Sequence, residues 1–281
     1  MVSRNKSATI LTSDRYYTPG TFQQYVLGPA NYVTPIPDGL DPAQAAPMLC
    51  AGVTVYSALR KSGAKSGDWV VITGAGGGLG TSYLSSLTTT PMPTEVSQTQ
   101  HYQPANTRTT LTGHLAVQIA SRGMGFRVIG IDHSSKEDLA TTGGAEFFLG
   151  FDKAGDKLVE QVREVTGGLG AKAVVVVTAS NAAYDSAMDM LRFAGTLVCV
   201  GIPEGKPQPI AGAMAGQMLQ KELRIVGSAV GSRKEAIEVL ELARRGVVKM
   251  HYRVEKKEKL GEIFKKMEEG KLKGRVVLDL S

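Results

Sequence analysis

Cysteine is nearly absent from this sequence. Cys50 and Cys199 are the only two in 281 residues, and neither belongs to a paired-cysteine spacing. That excludes a cysteine-rich structural zinc module and a disulfide framework, and it favours a reducing compartment. Long apolar runs are missing as well. The longest lies around Ala173–Val177, far short of a bilayer span, and no apolar signal core follows Met1–Lys6. The expectation is a cytoplasmic chain with no membrane partner. What is present is 42% hydrophobic content against 21% charged, enough to bury a sizeable core and too much for a disordered tail.

The charge balance, 32 Lys and Arg against 26 Asp and Glu, leaves a net +6. An excess of that sign raises the question of an anionic partner. Late in the chain, however, Lys256, Lys257, Lys259, Lys265, Lys266, Lys271 and Lys273 are interleaved with Glu255, Glu258, Glu262, Glu268 and Glu269. That mixture is the pattern of a solvated helix face with i,i+4 pairs, so no nucleic-acid partner is expected.

From Asp68 onward the chain alternates between short β-branched runs and longer segments of helical period. Strands are expected at Trp69–Thr73, Phe126–Ile131, Glu146–Phe151, Ala173–Thr178, Thr196–Ile202 and Leu223–Val230. Helices are expected at Leu115–Arg122, Lys136–Thr141, Asp156–Val165, Ala182–Phe193 and Lys234–Arg245, several followed by a glycine stop. Such alternation predicts an α/β protein with a doubly wound parallel sheet. Asp41–Lys61 reads as a helix interrupted at Pro47, and Val247–Ser281 as strand, helix, strand. These flanks fall outside the alternating pattern and look like two pieces of a second domain.

The first strand runs into Gly74-Ala75-Gly76-Gly77-Gly78-Leu79-Gly80. A dinucleotide site needs such a turn because pyrophosphate must approach backbone amides without a Cβ in the way. The strict G-x-G-x-x-G spacing is not met, but the relaxed form Ala75-x-Gly77-x-x-Gly80 is. The partner of this turn is an acid about 20 residues on, at the end of the next strand, to bind a ribose hydroxyl. Asp132 ends Val128–Asp132 but lies 52 residues past Gly80.

Between them, Thr81–Gly113 is 33 residues dominated by Ser and Thr, with three prolines and neither periodicity. Without it the spacing to Asp132 becomes 19 and Gly80 joins the amphipathic run His114–Ala120. Two readings stay open. The segment is a looped-out element with helix geometry restarting near Thr112, at a closure cost of about 3 kcal/mol, or it is an intron translated in frame, which the pattern favours.

Taken in order, Tyr16–Tyr25, Ala46–Tyr56, the glycine turn, Val128–Asp132, Val200–Pro203 and Gly274–Val277 make the sequence resemble the zinc-type medium-chain alcohol dehydrogenases, in particular the tetrameric, yeast-like fungal branch. The resemblance implies a Rossmann dinucleotide-binding domain over 52–232, carrying the insertion 81–113. It implies remnants of a GroES-like catalytic domain at both ends, 1–51 and 233–281. It also implies NAD as cofactor, zinc in the intact family, a small alcohol or aldehyde as substrate, and compatibility with a homo-oligomer.

Residue by residue, Gly74, Ala75, Gly76, Gly77, Gly78, Leu79 and Gly80 become the pyrophosphate turn and Asp132 the adenosine-ribose acid. Lys136 becomes a neighbouring ribose contact, Val200 a nicotinamide-side contact, Arg275 the cation at the pyrophosphate and Cys50 the third ligand of a catalytic zinc. Apart from the resemblance, Cys50 and Cys199 would each be a small buried hydrophobe, and Lys136 and Arg275 solvent-facing charges.

The departures are as informative. The family's first zinc cysteine, its Gly-His-Glu segment, its four structural-zinc cysteines and its proton relay have no counterpart in this sequence. None of His101, His114, His133 and His251 sits where a ligand or relay is expected. The chain therefore reads as starting after the structural-zinc cysteines, with no identifiable catalytic residue and little zinc-dependent turnover. Two alternatives to an impaired alcohol dehydrogenase follow. One is a zinc-free quinone or enone reductase, which the relaxed glycine turn also suits. The other is a non-catalytic nucleotide-binding remnant that pairs with other copies through the sheet edge near Leu223–Val230.

Overall fold

Along Trp69–Thr73 (β1), Val70 and Ile72 enter one hydrophobic core and Val71 enters another. The same division holds in Ala171–Val176 (β4), where Ala173 and Val175 face the first core and Val174 and Val176 the second. Residues alternate across a strand, so a strand apolar on both faces is buried on both. The computed structural model describes residues 22–26, 28, 30–76, 113–203, 208–268 and 275–280. With Arg127–Asp132 (β2), Phe147–Gly150 (β3), Leu191–Cys199 (β5) and Arg224–Gly227 (β6), these strands form a parallel six-stranded sheet in the order β3-β2-β1-β4-β5-β6.

Helices cover both faces, as parallel connections require. Pro42–Pro47 (α1), Val53–Lys61 (α2), Gly113–Gln118 (α3) and Arg233–Arg244 (α9) contribute to the first core. Glu137–Gly143 (α4) adds Ala140 to it. The short Phe151–Ala154 (α5) leads into Leu158–Val165 (α6), and α6 with Asn181–Ala187 (α7) lines the second core through Val162, Tyr184 and Ala187. Ala215–Lys221 (α8) joins β5 to β6. Asp41 starts α1 by accepting the Ala43 N–H at 3.0 Å. Pro47 lacks the N–H that would continue the ladder, and the chain passes through a wide π turn, Met48–Gly52, before α2 begins.

The last segment runs Tyr252–Lys256 (β7), Leu260–Glu268 (α10) and Arg275–Asp279 (β8), and its two strands pair in parallel. It is tied to the rest by polar contacts. Gln118 on α3 donates to the Lys249 carbonyl at 3.0 Å and accepts the Lys249 N–H at 2.9 Å, and Tyr252 donates its hydroxyl to Asp41 at 2.7 Å. The expected i,i+4 pairs form between Lys259 and Glu255, at 2.7 Å, and between Lys266 and Glu262. At the start of β1 the Arg127 guanidinium lies 3.8 Å above the Trp69 ring and is held there by Glu146.

All six expected sheet strands occur, β1 with the expected bounds and the other five with shifted ends. The largest shift is at β5. A helix was expected over Ala182–Phe193, yet α7 stops at Ala187 and Leu191 already pairs with Ala171. Ala194, at φ 52, bends the strand and shifts its register, so the three residues before it join the sheet rather than the helix. Helices α5 and α8 were not expected. Tyr16–Thr21, Gly77–Gly80 and residues 81–112, including Thr112, lie outside the described residues, as do His101 and Gly274. Among the described residues no helix is long and apolar enough to cross a membrane. Leu197, fully buried in the second core, should cost about 2–5 kcal/mol when replaced by alanine, measured as the shift in denaturant midpoint at unchanged slope.

Candidate functional site

The sheet reverses its strand order between β1 and β4, and in doubly wound sheets the crevice beyond the strand ends at that point takes the ligand. Gly74 leaves β1 with φ 81, and its N–H donates to the Ile131 carbonyl at 2.7 Å. Two residues on, the Gly76 N–H donates to Asp132 Oδ2 at 2.9 Å, while the His133 N–H donates to Asp132 Oδ1 at 2.7 Å. The acid at the end of β2 is thus locked to the turn after β1. Asp132 is only 8% exposed. Burial is the larger influence and pushes its pKa above the ordinary aspartate value, against the two amide bonds and the nearby Lys136, which pull it down.

Lys136 closes a short 3-10 turn, Ser134–Lys136, and packs its stem on Gly76, where a Cβ would overlap it. A second close approach is tighter still. Gly113, the first residue of α3, sits so near Gly74 that a Cβ there would run into the Gly74 carbonyl. A glycine that lets helix and strand meet in this way is one of the three that a dinucleotide fingerprint requires. The sequence suggested Gly80 for that place, and Gly113 fell inside the segment marked as foreign. The repetition of a leucine shortly before each glycine, Leu79-Gly80 and Leu111-Thr112-Gly113, was the available hint.

Val200 follows β5 on the same side of the sheet, its N–H bonded to the Val176 carbonyl at 3.1 Å. The next residue, Gly201, accepts the Tyr184 hydroxyl at 2.5 Å, which fixes this loop. Cys50 is exposed on the π turn, and Arg275 starts β8. Burial is the larger influence on the Arg275 guanidinium and pulls its pKa down. A cavity of about 350 Å³ opens near Cys50, lined by Leu49, Val53, Val230 and Arg233 among others. His114 is buried with its ring centroid 5.5 Å from that of His251, and His133 is exposed over Phe151.

These residues suit two cofactors unequally. The turn 74–76 and the helix start at Gly113, packed too closely for a Cβ at Gly76 or Gly113, with Asp132 locked to the turn at the end of β2, are a set that fits a dinucleotide. A catalytic zinc needs about three protein ligands. Cys50 is a single thiolate, and among the described residues no group of three or more His, Cys, Asp or Glu is placed to hold a metal ion. The described residues do not fit that metal.

A glycine turn at the switch point, with an acid closing the second strand, defines the dinucleotide-binding class of doubly wound proteins. Residues 112–245 match the family model for zinc-binding dehydrogenases. Alcohol dehydrogenase 2 of Emericella nidulans is 56% identical over 272 residues, covering 95% of this chain and 65% of that protein. An alcohol dehydrogenase of Schizosaccharomyces pombe is 37% identical, with 95% and 65% covered. The solved structure of acetophenone reductase from Geotrichum candidum, in complex with NAD, superposes with a TM-score of 0.65 at 25% identity, over 93% of this chain and 63% of that one.

Residues 112–245 thus carry a zinc-binding dehydrogenase domain, and the chain as a whole is similar to alcohol dehydrogenases of fungal type, spanning 65% of the length of these two fungal relatives. Because Gly113 has no room for a side chain, Gly113→Val should cost about 1–3 kcal/mol of stability by overpacking, read from the melting temperature, whereas the same change at Gly216, where a Cβ meets nothing within 4 Å, should cost markedly less.

Proposed function

We propose that this chain is the nucleotide-holding part of an NAD-linked alcohol dehydrogenase, acting on a small primary or secondary alcohol or on the matching aldehyde or ketone. The observation that carries the proposal is the lock between Gly76 and Asp132, which holds a buried carboxylate at the end of β2 against the glycine turn that leaves β1. NAD supplies the hydride acceptor. The protein's part is to bind and orient it. Asp132 accepts hydroxyls of the adenosine ribose and Lys136 flanks it. Gly74, Ala75 and Gly76, with Gly77, Gly78, Leu79 and Gly80, line the diphosphate, and Arg275 supplies a cation toward it. Val200 faces the nicotinamide.

The division into 1–51, 52–232 and 233–281 belongs to the same proposal, as do a cytoplasmic setting, suited to the free thiols Cys50 and Cys199, and assembly with further copies. A second reading, nucleotide binding without alcohol turnover, is favoured by the lack, among the described residues, of partners with which Cys50 could hold a metal.

Calorimetric titration of the 281-residue chain with NADH tests the proposal. Saturable one-to-one binding is expected, and its absence would remove the oxidoreductase assignment. If binding occurs but ethanol and longer alcohols fail to drive NAD reduction, the second reading stands. The pH dependence follows from burial of Asp132. An aspartate with a raised pKa begins to protonate at a higher pH than an exposed one, so NADH affinity is full above that pKa and falls as the pH drops through it. Asp132→Asn should weaken NADH binding roughly 10- to 100-fold, the scale of one or two hydrogen bonds to a charged group, and should flatten the acid limb of the profile.

A further inference from the structure

The register of the sheet places Gly150, the last residue of β3, opposite Asp132. Two residues beyond each, the chains meet again. Ser134 donates both its backbone N–H and its hydroxyl to Asp152 Oδ1, each at 2.8 Å. His133 lies beside the same carboxylate, with Nε2 3.8 Å from Asp152 Oδ2, and its ring rests edge-on against Phe151 at 6.0 Å. Gly150 leaves room for this contact, since a Cβ there would overlap the Ser134 hydroxyl. One carboxylate on α5 therefore organises the turn that begins at Asp132 and ends at Lys136.

We infer that Asp152 is a positioning residue that sets the selectivity of this site for a dinucleotide whose adenosine ribose carries no phosphate. The inference rests on the nucleotide-binding reading given above and adds a second carboxylate to it. A ribose 2′-phosphate needs cationic or N–H and O–H donors in the turn just past the ribose acid. The two donors of Ser134 occupy that place, and Asp152 consumes both. Asp152 also sets a negative charge against the one imidazole in the turn. A phosphorylated ribose would meet the spent donors of Ser134 and a second carboxylate, with Lys136 as the cation left in the turn, whereas an unphosphorylated ribose is served by Asp132 and Lys136 alone.

The test compares binding of NADH and NADPH by calorimetry to the wild-type chain, Asp152→Asn and Asp152→Ala. Asparagine removes the charge and keeps an oxygen to accept from Ser134, while alanine removes both and frees the two donors. The wild type should prefer NADH. The preference should narrow about threefold in D152N and about tenfold or more in D152A, the scale of one exposed like charge and of two released donors. NADH affinity in D152N should stay within about twofold of wild type. Because Asp152 is on the surface, melting temperatures should hardly move, and a thermal scan of each variant checks that. A preference unchanged in both variants, or equal losses for NADH and NADPH in D152A, overturns the inference and leaves nucleotide binding intact. A wild type that binds neither nucleotide overturns both.

Discussion

The structure depends on a place where two pieces of backbone meet with no room for a β-carbon. The carbonyl of Gly74, just past the first strand, and the α-carbon of Gly113, at the start of α3, are in contact. Because they meet, α3 lies flat on the sheet, and all of its residues from Gly113 to Gln118 are buried. Through Gln118, α3 in turn holds the segment before β7. Through the turn it fixes Gly76, whose N–H anchors Asp132. The ends of β1 and β2 are thus fixed together by this one contact and the hydrogen bond that follows from it.

Asp132 sits there at an energetic disadvantage. Its burial raises the free energy of the ionised form, and two backbone amides offset only part of that. Structural economy would place an apolar residue at the end of β2, on the face where Val128 already enters the first core. Local rules tend to be broken in this way where a protein works on a ligand.

How much of this was legible in the sequence varies by element, for physical reasons. β1 and β4 could be read closely because a strand buried on both faces needs unbroken Val and Ile, and Val70–Ile72 and Ala173–Val176 supply them. β5 was misread because Ala182–Phe193 keeps a helical period up to the point where Ala194 turns the chain, and a left-handed alanine leaves no mark in composition. α8 was missed since none of its residues is buried, so no apolar stripe announces it. In the site, Asp132 was legible from its place at a strand end. Gly113 was not, because its partner lies 39 residues earlier across a segment without periodicity. Asp152 was invisible for another reason. Its contact with Ser134 follows from the register of β2 against β3, and register is a property of the folded sheet. The proposed role of Cys50 came from resemblance alone, and among the described residues no group of three or more His, Cys, Asp or Glu is placed to hold a metal ion.

Trp69, the one tryptophan of the chain, opens β1 beneath the guanidinium of Arg127, which Glu146 holds in place from the residue before β3. Three neighbouring strands thus converge on a single indole at the end of the sheet remote from the glycine turn. The molecule carries a built-in fluorophore whose emission follows the cohesion of its central strands, and it does so without a dye attached near the cleft where a nucleotide would lie.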